Sequence, residues 1–198
     1  MSLRPLVVVM GVSGSGKSTT GAALAQRLRV PFVDADDLHP EANIAKMSRG
    51  EALDDHDRHP WLEAIGRWLA DHPDGGVVGC SALKRRYRDQ LRHHTHQVQF
   101  LHLHGTREVI ARRQASRPGH FMPASLLSSQ FATLEPLQPD EAGVVIDVDQ
   151  SVDAIVQHFV DLHPRADATA PARTTETPID APIDAPIDVP TDVPTEKE

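Results

Sequence analysis

Residues Gly11-Val12-Ser13-Gly14-Ser15-Gly16-Lys17-Ser18 fit the pattern G-x-x-x-x-G-K-[ST], the Walker A phosphate loop. The motif works only between a buried parallel strand and the start of a helix, so it fixes the local fold on both sides. Both flanks are present. Leu6-Val7-Val8-Val9-Met10 is apolar and β-branched, as a strand buried on both faces must be. Thr19 to Leu28 is rich in Ala, Leu and Gln and predicts a helix. Glycines in the loop allow backbone N–H groups to line a nest for phosphate oxygens, and the helix dipole adds to the pull. Lys17 is placed to reach β- and γ-phosphates, and the Ser18 hydroxyl to ligate Mg²⁺. The competing reading, a glycine-rich turn matching by chance, is weakened by the correct flanks. The stretch Gly11 to Thr19 is therefore expected to bind ATP with Mg²⁺.

Composition bounds the rest. The 198 residues suffice for one domain with a full core. The formal net charge is −8, and eight acids against three bases from Pro164 to Glu198 leave only −3 for the first 163 residues. That balance argues against a general nucleic-acid binder. Cys80 is the sole cysteine, so no intramolecular disulfide and no Cys-x-x-Cys metal spacing exists. No long apolar run suggests a secretion signal or a membrane span. The expectation is a soluble, cytoplasmic chain without a membrane partner.

Val30 to Asp34 predicts a second strand, with Pro31 suited to its edge or start. Asp34-Ala35-Asp36-Asp37 follows at the strand end, where open parallel sheets bind ligands. These acids read either as metal or substrate groups or as a helix cap before Leu38. Pro60 suits the first position of a helix from Trp61 to Ala70, whose Trp61, Ile65, Trp68 and Leu69 share one apolar face. Val77 to Cys80 predicts the third strand. Lys84, Arg85, Arg86, Arg88 and Arg92 then form the strongest basic cluster, either a solvated helix face or a site. Lys84 and Arg88 are four apart and are expected to share a face. His93-His94-Thr95-His96 lacks the accompanying ligands that a metal site would want.

Val98 to His104 predicts the fourth strand, Arg107 to Ser116 a helix, Ser125 to Leu134 another, Gly143 to Val148 the fifth strand and Val152 to Leu162 the closing helix. Between the middle helices, Arg117-Pro118-Gly119-His120-Phe121-Met122-Pro123 has the composition of a mobile loop able to bring a cation over bound phosphate. After His163 the text becomes a four-residue repeat, each unit opening on proline (Pro178, Pro182, Pro186, Pro190), which predicts a disordered acidic tail over 164–198. The whole pattern predicts an α/β phosphate-loop fold of three layers: a five-stranded parallel sheet with helices on both faces.

The order of residues resembles the gluconate kinase family from residue 6 to about 162. The stretches that carry the resemblance are Met10 to Ser18, Asp36-Asp37-Leu38-His39-Pro40 with Asn43, Lys46 and Met47, and Asp55 to Trp61. They continue with Cys80 to Lys84, Tyr87-Arg88, Gly119-His120-Phe121 and Ser129-Gln130-Phe131. A more distant similarity to shikimate kinase lies in Asp34-x-Asp36, Arg58 and Arg117-Pro118. The resemblance implies a kinase domain over 1–163 with a lid near 113–123, transferring phosphate from ATP to the 6-hydroxyl of D-gluconate. It implies Asp36 as the group that accepts the hydroxyl proton, and Lys17 and Arg117 as charges on the transferring phosphate. Asp34 becomes an outer partner of a Ser18-bound metal. Arg58, Lys84 and Arg88 become carboxylate partners, and His39 and His120 hydroxyl partners. By similarity to related kinases, Arg113 stacks on adenine and Asp149-Gln150 edges it; a homodimer is also implied. Two other readings stay open: a kinase for another hydroxy acid or a nucleotide, and an ATP-binding regulatory module without turnover.

Overall fold

The computed structural model of the chain describes residues 4–115 and 124–163. Its centre is β1 (Leu6–Met10), every residue of which is buried. With β2 (Phe32–Asp34), β3 (Gly76–Gly79), β4 (Val98–His104) and β5 (Gly143–Asp147) it forms a five-stranded sheet in the order β2-β3-β1-β4-β5. All four pairings are parallel, with Val8 opposite Val78 on one side and Phe100 on the other.

The strand period divides the core. Val7 and Val9 join Leu101 and Leu103 against α1 (Lys17–Leu28) and α7 (Val152–Leu162), through Leu24, Leu28, Ile155 and Phe159. Leu6, Val8 and Met10 point the other way, with Val98 and Phe100, toward α3 (Asp55–Ala70) and α4 (Arg85–His94). Trp61, Leu62, Ile65, Tyr87 and Leu91 close that layer. Helices α2 (Glu41–Ser48), α5 (Arg107–Ala115) and α6 (Ala124–Thr133) complete the described elements. The three layers are those the sequence predicts, and no helix of the described residues is long and apolar enough to cross a membrane.

Two boundaries differ from expectation. Pro60 lies inside α3 rather than at its start. Asp54 accepts from the Asp57 N–H while the Asp57 carboxylate accepts from the Asp54 N–H, and this reciprocal cap starts the helix a turn and a half upstream. The strand β2 begins after Pro31, whose carbonyl still accepts from the Val77 N–H at 2.9 Å. Its place at the sheet edge is where a proline costs least.

Candidate active site

The loop after β1 has the shape the motif requires. Gly14 and Gly16 sit at φ 81° and 99°, in the left-handed region. A Cβ on Gly14 would lie 2.4 Å from Gln114 Cγ, so the loop tip is closed to a side chain. The Thr20 N–H opens α1 by donating to Gly16 O at 2.8 Å, and the Lys17 ammonium donates to Val12 O at 3.1 Å. Two glutamines from elements distant in sequence hold the tip. Gln114 on α5 donates to Ser13 O at 3.0 Å, and Gln130 on α6 accepts from the Ser13 N–H at 2.6 Å. Ser15 is buried, whereas Ser18 and Thr19 are exposed on the first turn of α1.

The end of β2 faces this turn. Ser18 Oγ donates to Asp34 Oδ2 at 2.5 Å, and Asp34 Oδ1 accepts from the Asp36 N–H at 3.2 Å. Asp34 thus caps the 3-10 turn Ala35–Leu38, as the cap reading expects, and also accepts from the phosphate-loop serine. The Asp36 side chain is 87% exposed, with its Oδ1 4.0 Å from His39 Nε2. His39 itself is held. Its ring stacks on Trp61 with centroids 4.5 Å apart and planes 8° from parallel. Trp61 belongs to the core, as its helical spacing predicts, and its indole N–H also donates to Ala35 O at 2.7 Å, pinning the acidic turn. Burial lowers the His39 pKa; Asp36 works against this and Arg58 with it.

The basic cluster separates into three groups. Lys84 Nζ lies 3.1 and 3.2 Å from the two oxygens of Asp55. The Tyr87 hydroxyl and the Arg86 guanidinium contact the same carboxylate, and Arg58 Nη1 approaches to 3.9 Å. Lys84, Arg86 and Arg58 also lie 5.5, 5.6 and 5.9 Å from the Tyr87 ring centre. Three cations therefore surround one carboxylate, a concentration of positive charge suited to an anion. Arg85 and Arg92 turn to Asp140 and Asp89 on the outside of α4.

Arg88 corrects the sequence reading. Its side chain is fully buried and makes a two-pronged ion pair with Glu141 at 2.6 and 2.9 Å. Its remaining N–H groups donate to the carbonyls of Ala82, Leu83, Glu135 and Pro136. Nothing is left to read a substrate carboxylate. The expected shared face with Lys84 fails because Lys84 is the extended residue before α4, at φ −97° and ψ 146°, outside the helix. The spacing of Tyr87, Arg88 and Leu91, all buried, is the signal that places Arg88 on the inner face. Burial acts to raise the Glu141 pKa, but Arg88, the Gln138 N–H and Arg85 outweigh it and hold the carboxyl below its usual value.

Arg113 sits beside the phosphate loop: its Nη2 lies 3.3 Å from the Cβ position of Gly16, and its Nη1 donates to Val148 O at 2.6 Å. The turn after β5 is thereby brought to the nucleotide side. Within that turn Asp149 pairs with Arg112 at 3.0 Å, and Gln150 donates to Asp147 O at 2.6 Å. His94 pairs with Glu63, and His102 is buried in β4 with its pKa pushed down to about 4, by burial first and then by His104 and Arg88. Arg117 and His120 lie outside the described residues, as does the tail from 164. Sequence reasoning quoted Asn43, Asp55 and Gln130 within the resembling stretches but gave them no role, and did not name Gln114, because each makes contacts with elements distant in sequence.

Known proteins resemble this chain along most of its length. A family model described as shikimate kinase matches residues 13–163. The gluconokinase of Gluconobacter oxydans strain 621H is 44% identical over 164 residues, spanning 81% of this chain and 92% of that protein. The thermosensitive gluconokinase of Escherichia coli K12 is 47% identical over 149 residues, covering 73% of this chain and 80% of the other. The crystal structure of a gluconokinase from Sinorhizobium meliloti 1021 matches with a TM-score of 0.75 at 48% identity, over 81% of this chain and 92% of that one. With its phosphate loop intact and its relatives covered along most of their length, this chain belongs to the gluconokinase family of phosphate-loop kinases.

Proposed function

We propose that this chain is a gluconokinase, transferring the γ-phosphoryl group of ATP to the 6-hydroxyl of D-gluconate to give 6-phosphogluconate and ADP. The observation that carries the reading is the meeting of two chemistries at the carboxyl edge of the sheet. The Lys17–Ser18–Asp34 cluster lies beside the exposed Asp36, and Arg58, whose charge is felt at His39, belongs with Lys84 and Arg86 to the cations gathered on Asp55, which we read as the anion site. Gluconate is a hydroxyl chain ending in a carboxylate, and both ends have a chemical counterpart here.

In this reading the substrate hydroxyl oxygen bonds to the γ-phosphorus, the bond from that phosphorus to the β-bridging oxygen breaks, and the hydroxyl proton passes to the Asp36 carboxylate. Lys17 and Arg117 stabilise charge on the transferring group, with Arg117 and His120 assigned from sequence alone. Gly11, Val12, Ser13, Gly14, Ser15 and Gly16 supply the backbone nest. Arg113, with Asp149 and Gln150, borders the adenine. The Ser18 hydroxyl and the Asp34 carboxylate are oxygen donors of the kind Mg²⁺ takes, so the residues fit the ion. Bound there, Mg²⁺ would neutralise phosphate charge. A cytoplasmic enzyme acting as a homodimer, with its kinase domain in residues 1–163, completes the proposal.

A coupled assay of ADP release with D-gluconate tests it, run beside shikimate and nucleoside monophosphates. The family model matched over residues 13–163 keeps a second hydroxy acid in view, and turnover on shikimate in place of gluconate would favour that reading. ATP binding without turnover on any acceptor would favour a regulatory module.

A further inference from the structure

We propose that Asn43 is a positioning residue that fixes His39 as the neutral imidazole protonated on Nε2, so that His39 and Asp36 together bracket the reacting hydroxyl. The inference rests on the proposed role of Asp36 as proton acceptor and deepens it.

The argument starts from donor and acceptor capacity. Asn43 is 3% exposed on α2, and its Nδ2 lies 2.8 Å from the Asp57 carbonyl oxygen. A carbonyl only accepts, so the NH₂ end of the amide must point there. The same nitrogen lies 3.4 Å from His39 Nδ1. An amide nitrogen has two hydrogens and accepts nothing, so its second hydrogen requires a bare lone pair on Nδ1. The imidazole proton is then on Nε2, the nitrogen facing Asp36.

The ring has little freedom to escape this assignment. It stacks on Trp61, whose own N–H is fixed by the Ala35 carbonyl. The charged groups facing it are Asp36 from the 3-10 turn and Arg58 from α3. Behind Asn43, Asp57 is tied up by Lys46 at 2.5 Å and by the Asp54 cap. Burial disfavours the imidazolium and outweighs Asp36, which favours it; Arg58 adds to burial, so the balance runs in the same direction as the Asn43 contact.

The remaining gap has a use. His39 Nε2 and Asp36 Oδ1 are 4.0 Å apart, too far for a direct bond. An oxygen about 2.8 Å from each fits between them. A substrate hydroxyl in that place accepts from Nε2–H and donates to Asp36, which orients its proton toward the base and leaves its second lone pair for phosphorus. A protonated His39, or one with the proton on Nδ1, would lose this arrangement. In the first case it would bind Asp36 as an ion and lower its basicity; in the second it would offer the hydroxyl no donor.

The test is the tautomer and its consequence for rate. In ¹⁵N-labelled full-length protein, long-range ¹H–¹⁵N correlation should show His39 with a pyridine-like Nδ1 and a pyrrole-like Nε2 near neutral pH. The spectrum of His39→Gln assigns the signal. Asn43→Asp presents only acceptors to Nδ1 and should shift the proton to that nitrogen or protonate both. With ATP and D-gluconate, kcat should fall about tenfold, the worth of one hydrogen bond to the reacting group, with KM for ATP unchanged. The side-chain amide of His39→Gln keeps a donor in the Nε2 position and has no tautomers. In that background Asn43→Asp should cost little further rate, whereas two independent structural losses would multiply. If Asn43→Asp does not fold, Asn43→Ser serves in its place, since it removes the amide donor and should leave a mixture of tautomers. An Nδ1-protonated or doubly protonated His39 in the wild type overturns the proposal, as does full multiplication of the two losses. The spectrum needs no turnover, so absence of gluconate phosphorylation with the Nε2 tautomer present would reject the proposed function while leaving the Asn43–His39 assignment standing.

Discussion

Replacing Arg88 by alanine separates a strut from a substrate ligand. The guanidinium is fully buried, holds both oxygens of Glu141 and satisfies four backbone carbonyls between Ala82 and Pro136. Arg88→Ala leaves the Glu141 carboxylate buried without its main partner, and breaking a buried pair in this way costs about 3–5 kcal/mol. Against a typical total stability of about 5–15 kcal/mol, that is a large part of the fold's margin. For a domain of this size it corresponds to a fall in melting temperature of about 6–20 °C. Replacing both partners by apolar residues should recover only part of the loss, because the four carbonyls stay unsatisfied. The assay is urea unfolding followed by tryptophan fluorescence, with ADP release measured at a temperature where each variant is folded. Destabilisation with near-normal gluconate KM in the folded fraction is expected. Wild-type stability with a selective rise in gluconate KM would refute the reasoning and make Arg88 a ligand. The pH dependence has a definite sign. The Glu141 pKa is held below its ordinary value of 4.5, so the carboxylate contributes stability that is present above that value. It is lost as pH falls through the lower folded value, and Glu141→Gln should flatten the acid limb of the stability curve.

Other perturbations address the site directly. Lys17→Ala should leave the fold intact and lower kcat by about 100- to 1000-fold, the usual loss for one preorganised charge on a transition state; near-normal turnover in the ADP-release assay would count against the phosphate loop as the transfer site. Arg58→Ala and Lys84→Ala should each reduce the preference for gluconate over glucitol, its neutral alcohol counterpart, by about tenfold, measured as the ratio of kcat/KM values. An unchanged ratio in both would return those cations to a purely structural role around Asp55. Removing residues 165–198 should leave both turnover and melting temperature nearly unchanged, since the repeat has too little apolar surface to build a core; a large loss of stability on truncation would contradict that reading of the composition.

The sheet was legible because its signals are local. β1 is a continuous apolar run followed at once by the glycine loop, and β4 over Val98–His104 and α7 over Val152–Leu162 fall where their periodicities place them. The start of α3 was less legible. Pro60 is a strong local mark, yet the reciprocal bonds between Asp54 and Asp57 outweigh it and start the helix ahead of it, at the cost of one backbone hydrogen bond in the second turn. Only the arrangement Asp-x-x-Asp before an apolar face carries that information in the sequence.

The site divides along the same line. Lys17 and Ser18 lie in one strand–loop–helix unit and Asp34 at the end of the next strand in the sequence, and the motif or the strand end marks each of them. The cations were harder because sequence shows charge but not its partner. Lys84, Arg85, Arg86, Arg88 and Arg92 lie within nine positions, yet they serve Asp55, Asp140 and Glu141, which come from α3 and from the turn before β5. The difference between Arg86 and Arg88 is two residues and about half a helical turn, enough to move a guanidinium from the surface to a fully buried ion pair. The same cause hides Asn43. Its neighbours in sequence give it no chemistry, and its meaning comes from the Asp57 carbonyl fourteen positions later, which orients the amide and through it the imidazole of His39. A residue's type sets what it can donate or accept, but the fold decides which of those capacities is already spent.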